Sequence, residues 1–231
     1  MREIVMDTET TGLSPDEGHR VVEIGCVELL NHVPTGKVYH QYINPQRDMP
    51  TEAFEVHGLS EERLSKEPVF ADIADAFVTF IGDAKLVIHN ASFDMKFLNA
   101  ELKWCGKPQL DRDRAVDTLA IARRKFPGAQ ASLDALCRRF NIDNSARELH
   151  GALLDSEILA DVYLELIGGR QPDLVGSGQS DRSGDAGATA GAWKPSPRPA
   201  KLPSRLTPEA IEKHDAFVDS LGDAPVWRRV N

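Results

Sequence analysis

The order of its patterned segments constrains this chain more than any other feature. Three stretches with strand character come first, and compact apolar runs alternate with helical periodicity only afterwards. Residues 2–6 read as a short buried strand that ends on Asp7. Residues 20–30 read as a second, with Val21, Val22, Ile24 and Val27 turned to a core, and residues 37–43 as a third, with Val38, Tyr39, Tyr42 and Ile43. Only short turns join them, which predicts an antiparallel meander. Beyond Pro50, Phe70, Ile73, Ala74, Phe77, Phe80 and Ile81 recur at helical spacing. Leu86-Val87-Ile88 reads as a buried strand. The next helix opens near Asn90 or Ser92, with Phe93, Phe97 and Trp104 on one stripe, and Ala115-Val116 is a minimal strand. Helices are predicted over 118–125, 132–140 and about 152–167, the last stopping at Gly168-Gly169. This order predicts an α/β domain, a mixed sheet flanked by helices, over residues 1–168.

The composition then breaks. Sixteen of residues 169–205 are Gly, Pro or Ser, and Leu174, Val175, Trp193 and Leu202 are their only large apolar side chains. Such a segment cannot bury enough surface to offset its ordering entropy, so it is expected to be a flexible linker. Residues 206–231 form a third part. Thr207 is placed to cap a helix with Pro208 at its first position. Ile211, His214, Phe217, Val218 and Leu221 would make one apolar face of a helix too short to be stable alone, which suggests folding on a partner.

The charge balance narrows the partners. With 36 acidic and 27 basic residues the net charge is -9, so bulk attraction cannot gather nucleic acid; a local groove and carboxylate-held cations would have to do so. The three cysteines, Cys26, Cys105 and Cys137, are an odd count without metal-ligand spacing, which fits a reduced cytosolic compartment. The N-terminus lacks the pattern of a signal peptide. No apolar run approaches the ~20 residues that span a membrane.

Four carboxylates and a histidine carry the chemistry. Asp7 and Glu9 lie two apart on an extended chain and therefore share a face. Asp94 falls in the opening turn of a helix that follows an apolar strand. His150 and Asp155 would diverge by ~140° if both were helical. With His150 on the loop before Gly151 and Asp155 in the first turns of the helix, both can face one cleft. Clustered carboxylates repel one another unless cations neutralise them. Oxygen ligands without cysteine suit Mg²⁺ or Mn²⁺ rather than zinc. Two such ions ~3.5–4 Å apart serve phosphodiester cleavage, and an imidazole with a pKa near ~6.5 is suited to deprotonate the attacking water. Asp117, also near a strand end, reads instead as the N-cap of the helix from Thr118.

Asp7-Thr8-Glu9-Thr10-Thr11-Gly12, His89-Asn90-Ala91-Ser92-Phe93-Asp94 and His150-Gly151-Ala152-Leu153-Leu154-Asp155 resemble, in order, the three motifs of the DEDD superfamily of 3′→5′ exonucleases, in its histidine subclass. Val56-His57-Gly58-Leu59 resembles a further segment near the substrate. The resemblance covers residues 1–167 and is nearest to the epsilon proofreading subunits of bacterial DNA polymerase III. It implies a ribonuclease H-like fold, two divalent cations (Mg²⁺ or Mn²⁺), release of nucleoside 5′-monophosphates and a place in the bacterial cytoplasm. By the same resemblance Asp7 bridges both metals, Glu9 and Asp155 complete the tighter metal site, Asp94 supports the second ion and His150 is the general base. Asp7, Glu9, Asp155, Thr8, Thr10, Leu13, His57 and Asn90 are the expected contacts to the terminal nucleotide. The expected partners are a single-stranded 3′ end of DNA and, through the C-terminal tail, the catalytic (alpha) subunit of the polymerase. Gln171, Pro172, Asp173, Leu174 and Val175 weakly resemble the peptide by which replication proteins bind the sliding clamp, and Trp193 and Trp227 are candidate anchors to the polymerase. A stand-alone RNA-trimming exonuclease of the same superfamily would use the same five residues, and a non-catalytic adaptor built on a nuclease domain is the alternative outside enzymes.

Overall fold

The computed structural model describes residues 1–145, 147, 149–168 and 207–220. Strands β1 (Arg2–Thr10), β2 (Val21–Leu30) and β3 (Val33–Tyr42) form the expected antiparallel meander. The two-residue turn between β2 and β3 is built by Asn31 and His32, with φ of 51° and 66°, the left-handed pair that such a hairpin needs. Three helices follow: α1 (Thr51–His57), α2 (Glu61–Leu64) and α3 (Phe70–Ile81). The chain then returns as β4 (Lys85–Ile88) parallel to β1. It crosses through α4 (Ala91–Trp104) to β5 (Ala115–Asp117), parallel to β4. Helices α5 (Thr118–Lys125), α6 (Leu133–Phe140) and α7 (Ala152–Leu166) complete the domain. The sheet order is β3-β2-β1-β4-β5.

The two faces of the sheet carry separate cores, and β1 shows why. Its Ile4 and Met6 join Phe70, Phe77, Phe97 and Leu98 on the α3–α4 side. Val5, one residue out of phase, joins Leu136, Ile158, Leu159 and Val162 on the α6–α7 side. This is the period-two alternation of a strand buried on both faces.

Several expectations need correction. The first strand does not end on Asp7 but runs to Thr10. Asp7, Thr8 and Glu9 keep pairing with Gly25, Ile24 and Glu23, and the register shifts only between Glu9 and Thr10. Polar residues here remain in the sheet because β2 continues to satisfy their backbone. Val38 is not a core residue: β3 is an edge strand and its Val38 is exposed, whereas Tyr39 packs on Phe77 and Phe80 at ring separations of 5.9 and 5.6 Å. Trp104 is not on the buried stripe of α4, which runs through Ala91, Met95, Leu98 and Leu102. Trp104 lies half-exposed beneath the Arg20 guanidinium, 5.0 Å from the ring centre. The three cysteines are free.

The segment 169–205, including Gln171 through Val175 and Trp193, lies outside the described residues, as do Leu221 and Trp227. Helix α8 (Pro208–Ser220) belongs to a separate compact unit. Thr207 caps it as expected, its Oγ1 accepting from the Ala210 N–H at 3.2 Å, and Ile211 and Phe217 are exposed. Among the described residues no helix is long and apolar enough to cross a membrane.

Candidate active site

The site forms where the C-terminal end of β1 meets the first turns of α4 and α7. Because Asp7 and Glu9 are in phase with Val5, both carboxylates stand on the face that α7 covers. Thr8 points to the opposite face and its Oγ1 donates to Asp94 Oδ1 at 2.7 Å, which ties the first turn of α4 to β1. The start of α4 is held by Asn90, whose left-handed backbone (φ 65°) turns the chain out of β4 and whose N–H donates to Asp117 Oδ1 at 3.2 Å. The same oxygen accepts from Leu119 N at 2.9 Å and Ala120 N at 3.4 Å, so Asp117 is the expected helix cap and not a member of the site. The far end of α4 is anchored by Glu101, fully buried, which receives both Arg20 Nε and Nη2 at 2.8 Å.

Helix α7 reaches β2 closely because of Gly25, the partner of Asp7 in the ladder. A Cβ at Gly25 would stand 2.2 Å from Ala152 C and Leu153 N. Ser156 Oγ donates to Gly25 O at 3.0 Å and fixes the approach. Asp155 is thereby carried in, buried, within the first turn of α7. His150 lies on the preceding loop, its N–H bonded to Val56 O at 3.1 Å, and its Nδ1 stands 3.2 Å from Asp155 Oδ2. The loop placement proposed from Gly151 is thus observed.

Asp7, Glu9, Asp94, His150 and Asp155 line one cleft of about 500 Å³, with Thr8, His89, Asn90, Phe93, Arg123, Asp134 and Arg147 also on its walls. Ligand atoms of Glu9, His150 and Asp155 all fall within 4.8 Å of one another. Thr10, Leu13 and His57 are not on those walls. Thr10 Oγ1 donates to Gly12 O at 2.7 Å, Leu13 is largely exposed, and buried His57 accepts from Leu59 N at Nδ1 (3.0 Å). Arg147, Asp134 and Arg123 were not singled out from the sequence, and His89 only as the first residue of the second motif. An arginine three residues before a motif histidine was the one available signal.

The electrostatics follow from burial. Asp7 is pushed well above the usual carboxylate range by burial and then by Asp94, Glu9 and Asp155. Glu9 is raised to about 8 by burial, with Asp155 and Glu23 adding to it. Asp94 rises to about 7, again through burial, against the opposing hydrogen bond from Thr8. For Asp155 burial acts in the same direction, but His150 and Arg147 beside it outweigh it and hold the carboxyl below its ordinary value. Five carboxylates face two guanidinium groups on these walls. A buried cluster that protonates rather than ionises is short of positive charge. Its donors are carboxylates and an imidazole with no thiolate, a set that fits hard divalent cations.

The fold and site together define a nuclease. An exonuclease family model of the RNase T type matches residues 4–163. Among solved structures, Exonuclease X in complex with 5′ overhanging duplex DNA is similar at a TM-score of 0.57 and 24% identity, covering 71% of this chain and 90% of that one. The nuclease domain of 3′hExo, a DEDDh family member bound to rAMP, is similar at 0.63 and 17%, covering 72% and 91%. These two likenesses bear on the fold, which is ribonuclease H-like. In sequence, the DNA polymerase III subunit epsilon of Rickettsia felis is 48% identical over 224 residues (96% of this chain, 97% of that protein). That of Escherichia coli K12 is 41% identical over 247 residues, covering 98% and 97%. The chain belongs to this exonuclease family and, within it, to the epsilon subunits of DNA polymerase III: it is a 3′→5′ proofreading exonuclease that depends on divalent metal ions.

Proposed function

We propose that this chain removes mismatched 3′-terminal nucleotides from single-stranded DNA ends within a replicative polymerase, releasing nucleoside 5′-monophosphates, with Asp7, Glu9, Asp94, Asp155 and His150 as the working residues. The observation that carries this reading is their shared cleft, with Glu9, His150 and Asp155 atoms within 4.8 Å. Asp7, Glu9, Asp94 and Asp155 would hold two Mg²⁺ or Mn²⁺ ions. When bound, such ions supply stabilisation of the attacking and leaving oxygens of the displacement. Once Nδ1–H of His150 donates to Asp155, whose Oδ2 lies 3.2 Å from that nitrogen, the ring presents its Nε2 lone pair and can take the proton of the attacking water there. Thr8 holds Asp94 in place through its hydroxyl. Asn90 on the cleft wall is a contact for the terminal nucleotide, while Thr10, Leu13 and His57 would contribute from beyond the wall. Exposed Arg123 is suited to a backbone phosphate of the incoming strand.

In this reading residues 1–168 are the exonuclease domain, 169–205 connect it, and 206–231 bind the polymerase catalytic (alpha) subunit. The exposed Ile211 and Phe217 of α8 support the last assignment. Residues Gln171 through Val175 would touch the sliding clamp, and the whole would act in the bacterial cytoplasm. The test is hydrolysis of a 3′-mismatched DNA primer, beside an RNA oligomer of the same sequence, with and without Mg²⁺ or Mn²⁺. The wild type degrades the DNA only with metal. Asp7→Ala loses at least ~10³-fold, the equivalent of several kcal/mol of charge stabilisation. Undiminished activity in Asp7→Ala removes the mechanism, and a preference for the RNA removes the substrate.

A further inference from the structure

Arg147 grips one member of the proposed ligand set, Asp155, and its bonds conflict with the working state of the site. Its side chain is 9% exposed. Nε donates to Asp155 Oδ1 at 2.5 Å and Nη2 to Asp155 Oδ2 at 2.7 Å, a two-pronged grip on the carboxylate. Nη1 donates to Asp134 Oδ1 at 2.7 Å. Nη2 also lies 2.7 Å from His150 Nδ1. A guanidinium has no acceptor, so at this shorter contact Nδ1 must be the acceptor, and the proton of the neutral ring sits on Nε2. That is the wrong tautomer for a base acting through Nε2. The same side chain also engages both oxygens with which Asp155 would bind a cation.

We propose that Arg147 is a built-in counter-cation that competes with divalent metal for Asp155 and holds His150 in its non-basic tautomer. Metal entry and readiness of the base are then one exchange. The inference rests on the reading of Asp155 as a metal ligand. A divalent ion brings twice the charge of the guanidinium to the same oxygens and takes them when present. As the guanidinium gives way, the ring releases its Nε2 proton to solvent and takes one from solvent at Nδ1, which donates to Asp155 Oδ2 and leaves the lone pair on Nε2. Asp134, half-exposed and outside the ligand set, keeps a second anchor for the displaced arginine. Metal-free protein would thus carry a neutralised site whose base is switched off, and only the loaded protein would be competent.

The experiment uses the full chain stripped of metal and without DNA. Mn²⁺ binding is followed by titration calorimetry, and the protonated nitrogen of His150 by ¹⁵N NMR in metal-free samples. Arg147→Ala and Arg147→Gln should bind Mn²⁺ on the order of tenfold more tightly than wild type, because the competing charge is gone. Metal-free wild type should show Nε2–H, and the variants Nδ1–H. Arg147→Lys, which keeps the charge but loses the fork, should tighten binding less and still release Nδ1, and it serves if the neutral variants fail to fold. Equal or weaker Mn²⁺ binding in the variants, or an Nδ1–H tautomer in metal-free wild type, overturns the inference. Failure of every protein, wild type included, to bind Mn²⁺ would instead overturn the ligand assignment beneath it.

Discussion

Replacing Gly25 by alanine should damage stability and catalysis together, although Gly25 has no side chain to take part in the proposed chemistry. The methyl group would lie 2.2 Å from Ala152 C and Leu153 N and 2.3 Å from Ala152 O, all of them backbone at the start of α7. Carbon atoms pack at about 3.5–4.0 Å, so the helix start must retreat by on the order of 1.3 Å. That retreat works against the Ser156–Gly25 hydrogen bond and against the buried face of α7 that includes Ile158, Leu159 and Val162. Overpacking of this kind costs about 1–3 kcal/mol. Asp155 and the neighbouring His150 ride on the same segment, and a displacement near 1 Å in a catalytic constellation costs about a hundredfold in rate. Urea unfolding would read the first effect. Metal-dependent release of nucleotide from a mismatched primer, at a temperature where the variant stays folded, would read the second. A Gly25→Ala protein within about 0.5 kcal/mol of wild type and equally active would show that α7 does not need this approach, and the account of how Asp155 is positioned would be wrong.

Other outcomes follow from the same geometry. Glu9 and Asp94 have pKa values raised by burial from 4.5 and 3.8 to about 8 and about 7, so metal-free folded protein keeps protons that the unfolded chain has released. Their contribution is full below about pH 4 and is lost as pH rises through 7 to 8, at about 1.4 kcal/mol per pH unit for each extra proton held. With chelator present the melting temperature should fall between pH 5 and 8, and Mg²⁺ should cancel the fall; a flat profile with chelator would contradict this. Arg20→Ala leaves the Glu101 carboxylate buried without its two-bond partner and should cost about 3 kcal/mol in urea unfolding, whereas a loss under ~0.5 kcal/mol would mean the pair does not anchor α4. Arg123→Ala should raise KM for single-stranded DNA several-fold at low salt with kcat little changed, since one phosphate contact is removed; an unchanged KM would place the strand elsewhere.

Much of this arrangement was legible because local rules decided it. The Asp117 cap, the helix from Thr118 and the start of α7 after Gly151 follow from short-range chemistry, and the structure shows all three. The convergence of Asp7, Glu9, Asp94, His150 and Asp155 was legible from strand ends, helix starts and the motif resemblance together. What failed depended on partners distant in sequence. Whether Asp7 to Glu9 stay in the sheet is decided by Gly25, Ile24 and Glu23 on β2, which no local pattern at residues 7–9 reveals. Val38 is apolar yet exposed because it sits on the edge strand, and Trp104 left the helix stripe for Arg20, more than eighty residues away in the chain. The role of Arg147 was hard to read for a related reason. An arginine beside a loop reads as a solvated charge until Asp134, His150 and Asp155 are brought around it.

In the proposed mechanism, side chains spread from position 7 to 155 share divalent metal. Crystals of the full chain soaked in Mn²⁺, with data collected at the manganese edge, test it directly. Two anomalous peaks among the carboxylates of Asp7, Glu9, Asp94 and Asp155 are predicted, with at least one lost in Asp155→Asn. Crystals that stay without a peak at this cleft, or bind manganese only at other carboxylates, would contradict it.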